Sequence, residues 1–209
     1  MERIALFQKD AEVISASGQQ VGSLERVVLN PESKLVTDVV VRTGMFFNKV
    51  DKVVPIEYIV ETTEDQILLS DSADDLTTFP PLVEWHIVEE QNETDEPAEN
   101  VAPVIYGNPG FGPMVVPAPG EKFVTQIEQN IPTGTVAMKE GAKVITADGK
   151  HVGNVERVLT DSSIEQATNL EISKGVFTKE RRLIPMKWVT TIDEDEVHLR
   201  VNEESIDDE

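Results

Sequence analysis

One phrase occurs twice in this chain, and that repeat restricts its fold more than any other feature. Ala11-Glu12-Val13-Ile14 and Val21-Gly22-Ser23-Leu24-Glu25-Arg26-Val27 return as Ala142-Lys143-Val144-Ile145 and Val152-Gly153-Asn154-Val155-Glu156-Arg157-Val158. At constant spacing the match continues through Gly18 and Gly149, Thr37 and Thr168, Gly44 and Gly175, and Phe46 and Phe177. After the loss of one residue it resumes at Pro55 and Pro185, Tyr58 and Trp188, Ile59 and Val189, Asp65 and Asp195, and Leu76 and Ile206. Ile4-Ala5-Leu6-Phe7 is echoed loosely by Thr135-Val136-Ala137-Met138. Most shared positions are apolar or are turn glycines, so the repeat preserves a folding unit rather than a reacting group. The expected organisation is two repeated domains, residues 1–79 and 133–209, separated by a linker over 80–132.

Within each copy the signals are those of short strands. Asn30-Pro31-Glu32-Ser33 is a turn, because asparagine, proline and serine each favour a reversal and proline fixes φ. Leu35 to Arg42 is rich in β-branched residues, as a half-buried strand requires. Val53-Val54-Pro55-Ile56 opens a further strand, with the proline marking an edge or a strand start. Asp71-Ser72-Ala73-Asp74-Asp75-Leu76 has the pattern of a single capped helical turn. Five or six short strands without a long helical period predict an all-β fold of two small β-barrels, closure being one way to remove exposed sheet edges. Gly22 and Gly153, inside strand patterns, are expected at bends or bulges.

The middle segment differs. Glu89 to Glu96 is an acidic run, and Pro97, Pro103, Pro109, Pro113, Pro117, Pro119 and Pro132 follow with interspersed glycines, a composition that favours extended backbone. Val83, Trp85 and Ile87 alternate, which predicts an added strand over 82–88 covering part of the first barrel.

Charge and composition then restrict function. The net charge of −21 is spread over both copies and the linker, and such a surface repels phosphate backbones, so nucleic acid is not an expected partner. The chain has no cysteine, hence no disulfide and no thiolate metal site. No apolar run approaches the ~20 residues of a membrane helix, and the start of the chain does not read as a secretory signal. The expectation is a cytoplasmic protein without direct membrane insertion. Lys179-Glu180-Arg181-Arg182 is a local basic cluster read as a solvated strand turn, with an acidic partner or a phosphate as the alternative.

The repeated motif, the turn, the strand ending at Gly44 or Gly175, and Val53-Val54-Pro55-Ile56-Glu57-Tyr58-Ile59 or Leu183-Ile184-Pro185-Met186-Lys187-Trp188-Val189 together resemble the PRC-barrel family. That is the small β-barrel of the cytoplasmic part of the photosynthetic reaction-centre H subunit and of the C-terminal half of the ribosome maturation factor. The resemblance implies two such barrels in tandem, related by internal duplication and joined by the acidic, Pro/Gly-rich linker. It further implies a protein-contact module. Two departures stand beside it: this sequence has no N-terminal membrane helix like that of the H subunit, and its acidity argues against RNA.

No residue set carries recognisable catalysis or a cofactor. His86, His151 and His198 lack metal-ligand spacing. Asp193-Glu194-Asp195-Glu196 and Asp71, Asp74 and Asp75 lack the pattern of a calcium loop, and the glycines from Gly107 to Gly112 lack the lysine of a phosphate loop. Glu25-Arg26 and Glu156-Arg157 read as members of structural cross-strand ion pairs. The interaction candidates are apolar: Met45 and Phe47 in the loop after Gly44, with Phe46 and Phe177 turned inward, and Trp85, Tyr106 and Phe111 in the linker. These residues predict either cover by the chain itself or a patch for a partner. The expected function is a non-enzymatic interaction or scaffold module that binds a protein partner or itself. The alternative is a small-ligand or divalent-metal sensor using the cleft between the barrels.

Overall fold

The computed structural model describes residues 5–8, 10–44, 48–73, 75–89, 104–108, 111–116, 123–161, 163–174 and 180–207. In the first half the strands are β1 (Ala5–Gln8), β2 (Glu12–Ile14), β3 (Gln20–Leu29), β4 (Val36–Thr43), β5 (Val50–Pro55), β6 (Ile59–Thr62) and β7 (Gln66–Leu69). The middle contributes β8 (Val83–Glu89), β9 (Val104–Asn108), β10 (Phe111–Val116) and β11 (Phe123–Gln129). The second half contributes β12 (Val136–Lys139), β13 (Lys143–Ile145), β14 (His151–Thr160), β15 (Ala167–Lys174), β16 (Glu180–Pro185), β17 (Val189–Ile192), β18 (Glu196–Leu199) and one helix, α1 (Glu203–Asp207). The fold is all-β, as the strand signals predict.

Each half builds a seven-stranded sheet with the same connectivity, β5-β4-β3-β2-β7-β6 and β16-β15-β14-β13-β18-β17. Local chemistry accounts for the joints. Asn30 turns the chain through its side chain, whose Oδ1 accepts from the N–H groups of Glu32 and Ser33, and Lys34 takes the positive φ of 62° that follows. Proline 55 closes β5 rather than opening a strand, and β5 is the edge of its sheet. The turn expected over Asp71 to Leu76 consists of two 3-10 turns, Asp71–Ala73 and Leu76–Thr78, and Asp75 caps the second by accepting from Thr77 N–H.

Gly22 and Gly153 lie opposite Val13 and Val144, next to the register shifts that the sequence reading expects. A Cβ on Gly22 would stand 2.6 Å from both the Arg42 carbonyl oxygen and Val41 Cγ1. One on Gly153 would stand 2.7 Å from the Ser173 carbonyl oxygen. These positions require the close approach of two backbones.

The repeat does not announce how the halves join. The seventh strand of each sheet comes from the other half. β1 pairs with β14 (Leu6 opposite Leu159, Phe7 opposite Val158), and β12 pairs with β3 (Ala137 opposite Val28, Met138 opposite Val27). One edge of the long strand β14 is thus shared by β13 and β1, and the same edge of β3 by β2 and β12. The chain crosses between sheets at Asp10 (φ 59°) and at its counterpart Gly141 (φ 84°); aspartate is among the few non-glycine residues that tolerate this region.

The turns between the paired hairpin strands also meet. Leu35 bridges Gln166, Val36 N–H donates to the Glu165 carbonyl at 2.7 Å, and Ala167 N–H donates to the Lys34 carbonyl at 3.0 Å. This reciprocity is what a two-fold related contact produces. Two ion pairs repeat it: Arg26 with Glu194 at 2.9 Å and Arg157 with Glu64 at 3.6 Å. Phe7 and Met138, both 0% exposed, carry the exchanged strands into one apolar cluster that includes Val13, Leu24 and Ile67 from one half and Val144, Leu170 and Ile184 from the other. Burying a side chain of that size contributes about 1.5–3 kcal/mol. Residues 1–82 and 130–209 accordingly form one compact unit.

Val83–Gln129 is a second unit. A strand does form over Val83–Glu89, but it pairs with β11 (Trp85 opposite Ile127). β9 and β10 form a hairpin closed by Asn108 opposite Phe111. The proline- and glycine-rich middle is therefore partly sheet rather than wholly extended linker. Among the described residues, no helix is long and apolar enough to cross a membrane.

Candidate functional site

The two sheets share a topology but end differently at one edge, and that difference creates the site. In the first half the outer edge of β5 is occupied by the chain that follows Leu76. Val53 N–H donates to the Pro80 carbonyl at 3.0 Å, Leu82 N–H donates to the Asp51 carbonyl at 2.7 Å, and Lys52 bridges Pro81. The Lys52 ammonium donates to the carbonyls of Phe79 at 2.6 Å and Thr77 at 3.3 Å. Phe79 stands edge-on to Tyr58, with ring centroids 5.2 Å apart, a favoured aromatic arrangement. Residues 77–82 thus act as a strap that satisfies the edge and leaves Val53 only 3% exposed.

In the second half the corresponding strand is β16, which pairs on one side with β15. Among the described residues no strand pairs with its other side. Leu183, the counterpart of Val53, is 55% exposed. The result is an open groove of about 580 Å³ lined by Asn169, Arg181, Arg182, Leu183, Pro185, Trp188 and Ile206. Ile206 is buried, as its counterpart Leu76 is. Two arginines are in its lining, each beside a carboxylate. Arg181, Arg182 and Lys187 stand where the first half has Asp51, Lys52 and Glu57. Arg181 lies 3.5 Å from Glu171 and Arg182 lies 3.6 Å from Glu180, while Lys187 Nζ lies 6.0 Å from the Trp188 ring centroid.

The groove arginines come from the basic cluster that the sequence suggested as a solvated turn or a contact for an acidic partner. They belong to a strand, not to a turn. Sequence reasoning did not find Leu183 and Trp188 as site residues. The available signal was the repeat itself, which aligns Leu183 with Val53 and Trp188 with Tyr58.

The counterpart of Asn169 in the first half is Asp38, which is only 6% exposed and whose Oδ2 is buried without a hydrogen-bond partner. Burial pushes its carboxyl above the ordinary range; the Thr37 hydroxyl opposes this and the Glu57 carboxylate adds to it. A carboxyl with a raised folded-state pKa binds its proton more tightly when folded, so its ionisation costs stability above that pKa. The cost fades as the pH falls towards the unfolded value near ~3.9. Asp38→Asn, which installs the residue of the second half, is expected to raise the urea midpoint at neutral pH. The gain should shrink on acidification; a gain independent of pH would mean that the charge of Asp38 is not its cause.

The other sequence candidates are dispersed. Met45, Phe46, Phe47 and Phe177 lie outside the described residues. Trp85 is on β8 and Tyr106 on β9 opposite Met114, and Phe111 opens β10. Glu25 pairs with Arg42 on β4 at 2.7 Å, and Arg42 also holds Asp51 at 2.8 Å, so the first copy has the expected cross-strand ion pair. In the second copy Arg157 on β14 lies 3.8 Å from Glu171 opposite it on β15, while Ser173 occupies the Arg42 position and its hydroxyl donates to Glu156. His151 meets Asn154 at 2.7 Å, and Asp195 is taken by Lys139 at 2.8 Å.

No curated protein matches this chain. Two family descriptions match parts of it. Residues 138–207 match DUF2171, an uncharacterized protein conserved in bacteria, and residues 9–76 are a PRC-barrel domain.

Proposed function

We propose that this chain is a non-enzymatic protein-interaction or assembly module, made of two PRC-like barrels related by internal duplication and acting in the cytoplasm. The observation that carries this reading is the asymmetry of the two sheet edges. The first half covers its edge with residues 77–82, whereas among the described residues no strand pairs with the outer edge of β16, beside which Leu183 is exposed and Trp188 lines the groove. Natural proteins cover or blunt exposed edges, because an unpaired strand is a template for another chain. An edge without a described partner strand beside Leu183 and Trp188 supports a role in binding.

The test is affinity capture with the intact chain from its source cells over several growth conditions, followed by native mass measurement of what is retained. A stoichiometric protein partner, or defined self-association, is the expected result. A saturable thermal shift with Ca²⁺, Mg²⁺ or a metabolite, in the absence of any partner, would instead support the small-ligand or metal-sensing alternative.

A further inference from the structure

We infer that this chain has a second assembled form, a dimer in which each compact core joins residues 1–82 of one copy to residues 130–209 of the other. This specifies the self-association branch of the interaction reading, with a second copy of the chain as the partner, and makes no use of the groove beside β16.

The way the halves are joined permits it. β1 completes the sheet of the second half and β12 that of the first, and the hairpin turns meet through the bonds from Val36 to Glu165 and from Ala167 to Lys34. The ion pairs Arg26–Glu194 and Arg157–Glu64 span the same contact, and Phe7 and Met138 fill the shared core. All of these contacts are noncovalent, and the chain has no cysteine to tie its own halves together. None of them requires the two halves to belong to one copy.

The same holds where the core gives way to the middle unit. Asn130 N–H donates to the Leu82 carbonyl at 3.0 Å, and its side-chain amide donates to the Pro81 carbonyl at 2.8 Å. β8 and β11 then run together from Val83 opposite Gln129 to Glu89 opposite Phe123. Each of these pairs has one member before residue 90 and one after residue 122, so an exchange of halves retains it. β9 and β10 lie between and pair with each other in either form. Every strand pair among the described residues therefore survives the exchange, and only the course of the chain through residues 90–122 differs.

The composition of that segment works against a closed monomer. To complete a core with its own second half, the chain must leave Glu89 and return at Phe123, directly opposite. Residues 90–103 carry Glu90, Glu93, Asp95, Glu96 and Glu99 with no lysine or arginine, together with Pro97 and Pro103. Like charges repel along a chain and prolines extend it, which favours running on to a second copy over turning back. Exchange of matched elements is a low-cost route to a dimer because it reuses existing contacts. Concentration then decides between the forms: a tethered half competes at an effective concentration on the order of millimolar, so the closed form prevails in dilute protein. Interconversion requires opening the shared core, so a dimer once formed persists on dilution.

The test uses the intact chain with a site for a specific protease inserted between Ala98 and Glu99. The protein is unfolded in denaturant, refolded at micromolar and at near-millimolar concentration, and sized by sedimentation. Monomer is expected from the first, and from the second a dimer that survives dilution. Cutting the isolated dimer at the inserted site should halve its mass in native mass spectrometry, giving one-to-one complexes of the two pieces. Replacing residues 90–103 by a Gly/Ser segment of equal length should lower the share of dimer about threefold or more. Absence of a dimer after near-millimolar refolding overturns the inference. So does a dimer that keeps its full mass after cutting, which would be held by a surface contact, or one that yields paired first pieces and paired second pieces, which would mean that like halves associate. An unchanged share of dimer in the Gly/Ser variant would refute the part assigned to the connecting segment. A strictly monomeric chain that still retains a stoichiometric protein partner would end the exchange and leave the interaction reading standing.

Discussion

Expressed alone, residues 1–82 are expected not to yield a folded monomer, and neither are residues 130–209. Each fragment carries its first strand, but the sheet it builds needs the first strand of the other. Without β12, the edge of β3 from Arg26 to Leu29 is left unpaired and the Met138 side chain is missing from the core. Without β1, β14 loses its partner from Arg157 to Thr160 and the core loses Phe7. Removing a buried side chain of this size costs about 3–5 kcal/mol by itself, against a total stability of ~5–15 kcal/mol for a typical domain. The orphaned first strand can also fill the empty position in a second copy of the same fragment. Sedimentation should therefore show 1–82 as a homodimer or larger species, and mixing with 130–209 should produce a one-to-one complex. A fragment that sediments as a monomer and unfolds cooperatively would show that strand exchange is not needed to complete a lobe.

Gly153→Ala is expected to cost about 3–5 kcal/mol, a fall in Tm on the order of 10 °C. Two penalties combine at this residue. Its φ of 151° lies where side chains are rarely tolerated, and a Cβ would stand 2.7 Å from the Ser173 carbonyl oxygen, which the sheet holds in place. Gly22→Ala should cost less, about 1–3 kcal/mol, because Gly22 has the backbone collision without the unusual φ. Gly149→Ala isolates the other penalty. Its φ is 78° with nothing within 4 Å of the added atom, so ~1–2 kcal/mol of conformational cost is expected. Thermal denaturation of the three variants tests this order, and equal losses at all three would refute it.

Much of the architecture is legible in the residues. The alternation of β-branched residues, the turn at Asn30 and the paired glycines give the strands and their order, because these depend on local chemistry and on a period of two. Pairing partners are less local. Ile4 to Phe7 and Thr135 to Met138 look alike, so their resemblance fits pairing at home as well as exchange. What directs each strand across is the bend at Asp10 and Gly141, a backbone state that composition does not specify. The middle segment misled for a related reason. Prolines argue against central strands, but β10 accommodates Pro113 where its register with β9 shifts, between Phe111 and Met114.

The groove was legible only by comparison. Arg181 and Arg182 were visible as a basic cluster, but nothing local marks Leu183 as exposed. Its counterpart Val53 sits in a similar apolar run and is buried, and its N–H is held by the Pro80 carbonyl. Apolar residues chosen for size, such as Trp85 and Tyr106, lie on strands of the middle unit, where no equivalent comparison exists.

The asymmetry of the two edges can be read directly by native-state hydrogen exchange in the unliganded protein. Val53 N–H, bonded to Pro80 at 3.0 Å beneath the strap, should be strongly protected, whereas Leu183 N–H at the open edge should exchange at close to the rate of a solvent-exposed amide. Equal protection of the two amides would mean that the second edge is already covered, and the site described for this protein would not exist.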